Sequence, residues 1–114
     1  MLEKLTTDTD VVILSNMKAV ELVRTRIAYS DTAFAELVLW RIPKPAAGST
    51  HEFEYRLAYV VSGECVIRYD NEAGKGDHRH YGDTERAYRF TTPDKLIADF
   101  QLDIASWNNE NRDA

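Results

Sequence analysis

The chain has one cysteine, Cys65, among 114 residues. A single thiol excludes an intrachain disulfide and predicts a reducing, cytoplasmic setting. Long apolar runs are missing too. Stretches such as Val11-Val12-Ile13-Leu14 fall far short of the roughly 20 residues that span a bilayer, so no membrane segment is expected. Glu3, Asp8 and Asp10 occupy the start, where a signal peptide would place basic and then apolar residues. An excess of positive charge is also absent. The formal net charge is −5, which argues against a general nucleic-acid binder. The charge is uneven, however. Residues 18–44 hold five Lys/Arg against three Asp/Glu, and residues 91–114 hold two against five, so a locally basic face remains open.

At 44% hydrophobic and 29% charged, the composition is that of a globular domain. This length buries roughly two thirds of its unfolded surface in one core. Residues 1–17 show no clean period and read as an arm. Residues 19–29 and 34–42 are rich in Val, Leu, Ile, Tyr and Trp and are separated by the turn signal Ser30-Asp31-Thr32. In the second run Phe34, Val38, Trp40 and Ile42 share one parity, which predicts that they face inward. Pro43 and Pro45 then break the ladder. Phe53, Tyr55, Leu57, Tyr59 and Val61 alternate cleanly, and Ser62-Gly63 turns the chain into Cys65 to Asp70. A polar loop follows over residues 71–83, then a short strand at Tyr88 to Phe90.

Thr92, Pro93 and Asp94 form a helix start, and Leu96, Ile97, Phe100, Ile104 and Trp107 an apolar stripe. The reading is α+β: a single antiparallel sheet of four to five strands with a C-terminal helix packed on one face. One domain over residues 18–107 carries the arm at 1–17 and a polar tail at 108–114. Trp40, Trp107 and Cys65 are expected to be packed.

Residues 69–80, Tyr-Asp-Asn-Glu-Ala-Gly-Lys-Gly-Asp-His-Arg-His, concentrate the chemistry. If extended, His78 and His80 share a face about 6–7 Å apart at the α-carbons, with Arg79 pointing away. Two imidazoles so placed suit paired proton transfers near neutral pH. They also suit ligation of one metal ion, with Asp70 or Asp77 as a third ligand. Gly74-Lys75-Gly76 permits an anion-binding nest beside a lysine, or simply a turn. Arg56 and Arg68 are expected near each other across the hairpin. Tyr55, Tyr59 and Tyr69 are spaced to face inward.

Arg56 to Val61, Tyr69-Asp70-Asn71-Glu72, Gly74 to His80 and Tyr88-Arg89-Phe90 together resemble the TumE-like toxins of bacterial type II toxin–antitoxin systems. The resemblance spans about residues 18–105. It implies a partner antitoxin, typically of helix-turn-helix type, and growth arrest by attack on RNA or translation.

Combined with the histidine pair, this predicts a metal-independent endoribonuclease needing no cofactor. His78 and His80 are the acid and base, Lys75 and Arg79 stabilise phosphate charge, and Asp70 or Asp77 orients an imidazole. Arg56, Arg68, Tyr69, Asn71 and Tyr88 are the candidate substrate-binding residues. Two other classes stand beside it. One is a metal-dependent hydrolase or metal-binding module using His78, His80 and Asp77. The other is a non-catalytic interaction domain working through a sheet edge and its helix, an edge that would also allow a homo-oligomer.

Overall fold

The alternating run at Phe53–Val61 becomes the strand that orients the sheet. The computed structural model describes residues 13–14, 17–45, 48–72 and 74–111. Its elements are β1 (Ile13–Leu14), β2 (Met17–Lys18), β3 (Val20–Ala28), β4 (Ala33–Arg41), β5 (Phe53–Val61), β6 (Glu64–Asp70), β7 (His78–Tyr81), β8 (Thr84–Ala87) and α1 (Pro93–Asn111). Among the described residues β1 pairs with β2, and β3 to β8 form one antiparallel sheet in sequence order. The α+β architecture with a C-terminal helix is as expected, but the sheet has six strands rather than four or five. Of the arm and tail expected at 1–17 and 108–114, residues 1–12, 15–16 and 112–114 lie outside the described residues.

β7 lies within the polar stretch 71–83 expected as a loop, and β8 follows it at Thr84–Ala87. His78–Tyr81 pairs with β6 on one side and β8 on the other, closing through Gly82 and Asp83. Gly82 takes a positive φ of 59° there, a conformation glycine adopts without strain. These strands read His-Arg-His-Tyr and Thr-Glu-Arg-Ala and bury no apolar face, so the periodicity that marks a strand is missing from them. Tyr88 to Phe90 carries no ladder and leads straight into the helix.

Register corrects a second expectation. On β4 the buried residues are Ala33, Ala35, Leu37 and Leu39, while Phe34, Val38 and Trp40 are only half-buried. Leu39 opposes Tyr55, Leu37 opposes Leu57 and Ala35 opposes Tyr59. Opposed residues share a face, so the strong alternation of β5 decides which side of β4 is buried. Trp40 accordingly sits on the face away from the core. Cys65 is exposed rather than packed. A register shift between Tyr59 and Val60 sets Cys65 opposite Val60, off the core face.

The helix starts as its sequence dictates. Thr92 Oγ1 accepts from the Lys95 backbone N–H at 3.1 Å, satisfying one unpaired amide of the first turn. Leu96, Phe100 and Ile104, one helical face at i, i+4 and i+8, are fully buried against Leu37, Leu39, Tyr55, Leu57, Tyr59, Ile67 and Tyr69. Each such side chain contributes about 1.5–3 kcal/mol.

Polar clasps fix the rest. Tyr88, Tyr69 and Tyr81 donate to Asp99, Asp103 and Glu110 of α1 at 2.6, 2.6 and 2.8 Å, and Tyr59 donates to Asn108 at 2.7 Å. The acidic C-terminal stretch is therefore an acceptor row for tyrosine hydroxyls. With α1 on one side, the opposite face of the sheet is left open among the described residues.

Candidate functional site

The register lines up Arg56, Asp70, His78 and Ala87 in one row across β5 to β8, and Ala58, Arg68, His80 and Glu85 in the next. Their neighbours along the strands, Leu57, Ile67 and Tyr69, point into the core. Both rows therefore lie on the open face. His78 and His80 share that face, and their side chains remain 17% and 26% exposed, enough for contact with a ligand.

The ring nitrogens have distinct partners. His78 Nδ1 is 2.9 Å from the Gly76 carbonyl oxygen. A carbonyl only accepts, so Nδ1 carries the proton and Nε2 is the nitrogen left for chemistry. Arg68 Nη2 lies 3.0 Å from His80 Nε2. A guanidinium only donates, so His80 Nε2 is the acceptor in this contact. Arg68 is held in turn by Asp70, whose Oδ2 is 2.7 Å from Arg68 Nε. That contact is an ion pair by distance, without a directed hydrogen bond from the ε N–H.

Glu85 completes the group. Its Oε2 lies 4.0 Å from His78 Nε2 and 3.6 Å from His80 Nε2, so both histidines converge on one carboxylate oxygen. Sequence reasoning missed Glu85. Gly82-Asp83 between two polar tetrapeptides was the available signal, because a two-residue Gly-Asp turn there puts His80 opposite Glu85.

A second polar cluster shapes the loop before β7. Asp77 accepts from Ser49 Oγ at 2.9 Å, from Tyr55 Oη at 2.6 Å and from His51 Nε2 at 2.7 Å. His51 Nδ1 accepts the Phe53 backbone N–H at 3.2 Å, and its ring stacks on Phe90 with centroids 3.9 Å apart. Both nitrogens of His51 are thus engaged, and the serine bonds to the aspartate rather than to the histidine. This wiring pins two loops together and leaves no activated nucleophile. Burial and the Asp77 hydrogen bond push the Tyr55 phenol far up, keeping it a donor.

Backbone approaches reinforce the pin. A Cβ at Gly48 would sit 2.6 Å from Gly76 N and 2.8 Å from Gly74 O. The carbonyl that orients His78 therefore belongs to a loop braced from the 48–51 segment.

The other candidates lie elsewhere. Arg79 is on the helix face, donating from Nε and Nη2 to Asp103 at 2.7 and 2.9 Å and from Nε to Tyr69 Oη at 3.1 Å. Its hydrogen bonds to Asp103 drive its pKa further up, against the effect of burial. Tyr69 is buried, its phenol raised by burial and by Asp103. Tyr88 is half-buried against Tyr69, with burial and Asp99 raising its phenol.

Asn71 is fully buried, accepting from Tyr55 N at 3.0 Å and donating to Phe53 O at 2.8 Å and Ser49 Oγ at 3.2 Å. Arg56 is exposed on the open face, and Lys75 is exposed on the loop ahead of β7. Asp77 is spent on Ser49, His51 and Tyr55, so the structure does not assemble His78, His80 and Asp77 as one ligand set. Among the described residues no three His, Cys, Asp or Glu side chains are grouped to hold a metal ion.

A family model described as toxin TumE matches residues 2–108, nearly the whole chain. The chain belongs to the TumE toxin family. No curated protein and no solved structure matches it. Membership in a TumE toxin family gives this chain a toxin role and implies an antitoxin partner. Among the described residues no helix is long and apolar enough to cross a membrane.

Proposed function

We propose that this TumE toxin is an endoribonuclease whose active centre is the open-face group His78, His80, Arg68 and Glu85. The convergence of both Nε2 atoms on Glu85 Oε2, with Arg68 between β5 and β7, carries this reading. Two titratable rings and a guanidinium on one accessible face are what in-line transfer at a phosphodiester requires.

His78 is the general base. Its Nδ1–H is committed to Gly76 O, so the Nε2 lone pair is free to take the 2′-hydroxyl proton. The 2′-oxygen attacks phosphorus, a P–O2′ bond forms and the P–O5′ bond breaks. A bound phosphate draws Arg68 away from His80 Nε2 onto a non-bridging oxygen. That nitrogen, 3.6 Å from Glu85, then takes a proton from solvent and delivers it to the departing 5′-oxygen, while His78 returns the proton it took to solvent.

Arg56 and Lys75 extend the phosphate contacts on either side. Asp70 positions Arg68, while Tyr69, Asn71 and Tyr88 serve by holding β6 and its neighbours in place. Arg79, on the helix face, supports the scaffold. The donor set requires no metal for these steps. The partner is an antitoxin of helix-turn-helix type, and both work in the cytoplasm.

Incubating purified toxin with mixed RNA in EDTA tests the reading. Wild type should cleave, and the His78→Ala/His80→Ala double variant should not. Equal cleavage by both, or by neither, would remove the histidine pair from the account.

A further inference from the structure

β3 is an edge strand of nine residues, about 30 Å long, and among the described residues nothing pairs with its outer side. Val20, Leu22, Ile27 and Tyr29 account for four of the five large hydrophobic side chains that are exposed among the described residues. Proteins usually blunt such an edge with short strands, prolines, charges or bulges; this one has a register shift between Glu21 and Val23 and two arginines, yet keeps a long ladder flanked by exposed apolar side chains. A cleft of about 410 Å³ opens at its end, lined by Tyr29, Thr32, Tyr59, Val61, Trp107 and Asn111 among others.

Charge indicates the occupant. Arg24 and Arg26 project on the open face of β3, with side chains 55% and 62% exposed despite ion pairs to Glu21 and Glu36. Residues 18–44 have five Lys/Arg against three Asp/Glu, in a chain whose net charge is −5. A second copy fits poorly. Antiparallel self-pairing centred on Thr25 sets Arg24 against Arg26 twice, and centring on either arginine sets it against itself.

We propose that the antitoxin docks here by β-augmentation. It adds an extended segment that alternates acidic and large apolar residues, carboxylates toward Arg24 and Arg26 and an apolar anchor in the Trp107 cleft. This rests on the family assignment and the edge, and is independent of the ribonuclease reading.

The test is hydrogen exchange on the full-length toxin, alone and in its co-expressed antitoxin complex, with affinities for wild type, Arg24→Glu/Arg26→Glu and Ile27→Glu. The outward-pointing amides of residues 20–28, those not bonded to β4, should exchange fast in the free protein and slow at least about tenfold in the complex. Each variant should weaken binding at least about tenfold with an unchanged circular dichroism spectrum. Protection confined to other elements, or unchanged affinity in both folded variants, would overturn the proposal. So would outward-pointing β3 amides already protected in the free monomer, which would assign the edge to the chain's own residues. Protection lost on dilution of the free protein would assign it to a second copy and equally overturn it. None of these readouts depends on RNA cleavage, so failure of one reading is separable from failure of the other.

Discussion

Arg68 donates to His80 across the β6–β7 ladder, Nη2 to Nε2 at 3.0 Å. The two residues are directly opposed in register, so the contact is set by strand pairing rather than by a mobile loop. If Arg68 passes from His80 to phosphate during the reaction, the two act as a unit. His80→Ala should lower RNA cleavage by about 10²–10⁴-fold, and Arg68→Ala by a comparable factor. The double variant should lose much less than the product of the two losses. Single-turnover rates of the four proteins measure this coupling, and independent multiplicative losses would show that the contact plays no part in the chemistry.

Arg79 provides the contrast. It lies one residue from each histidine but on the other side of the sheet, in a two-pronged contact with Asp103. Arg79→Ala should cost about 1.5–3 kcal/mol of stability, the range for hydrogen bonds to charged groups. The folded fraction should cleave RNA at the wild-type rate. Urea unfolding together with an activity assay well below the midpoint separates these effects.

The tyrosine clasps predict alkaline sensitivity. Burial and a carboxylate acceptor raise the phenols of Tyr55, Tyr69 and Tyr88, and raise Tyr81 to about 12. A raised pKa means the folded state holds its proton more tightly than the unfolded chain. The stabilisation is thus complete below the ordinary tyrosine value of 10 and is lost as pH rises from there through about 12. Thermal midpoints measured from pH 8 to 12 should be flat at first and then fall. Tyr81→Phe should reduce the steepness of that fall.

Acid acts through a different group. Burial pushes Asp99 up, but hydrogen bonds from Lys95 and Tyr88 outweigh it and hold the carboxyl below its usual range. A lowered pKa contributes stability above the unfolded carboxylate value, lost as pH falls through the folded one. Asp99→Asn should therefore make the fold less stable at neutral pH and less sensitive to acid, as read from unfolding midpoints between pH 2 and 7.

Gly48→Ala should be among the most damaging single-methyl changes in the chain. The added Cβ would meet Gly76 N at 2.6 Å at a residue whose φ is +84°. Strain of this kind costs about 1–3 kcal/mol before the clash itself is counted. Displacing Gly76 also moves the acceptor of His78 Nδ1, so cleavage should fall even where the variant is folded. Proton NMR of the histidine rings would follow the loss of that hydrogen bond.

The parts of this fold that were legible in the sequence are those where one physical signal dominates. The alternation of Phe53 to Val61 and the Thr92-Pro93-Asp94 start each admit one local structure. β7 and β8 lack such a signal, because their pairing is held by a turn and a ladder rather than by apolar burial. The parity of β4 was misread because Phe34 and Trp40 outweigh Ala33 and Ala35 in hydrophobicity, whereas burial there follows the face chosen by β5. His51, Ser49 and Tyr55 meet at Asp77 from positions 22 to 28 residues away. No local spacing announces such a cluster. The shared face of His78 and His80 followed from strand geometry alone, while their link to Glu85 needed the register.

The most direct measurement of the central claim is the chemistry of the cut ends. Toxin should cleave RNA in EDTA to leave 2′,3′-cyclic phosphate and 5′-hydroxyl termini, and a 2′-deoxy substitution at the cleaved position should abolish the cut. Ends carrying a 5′-phosphate, or cleavage that survives the 2′-deoxy substitution, would contradict proton abstraction from the 2′-hydroxyl by His78.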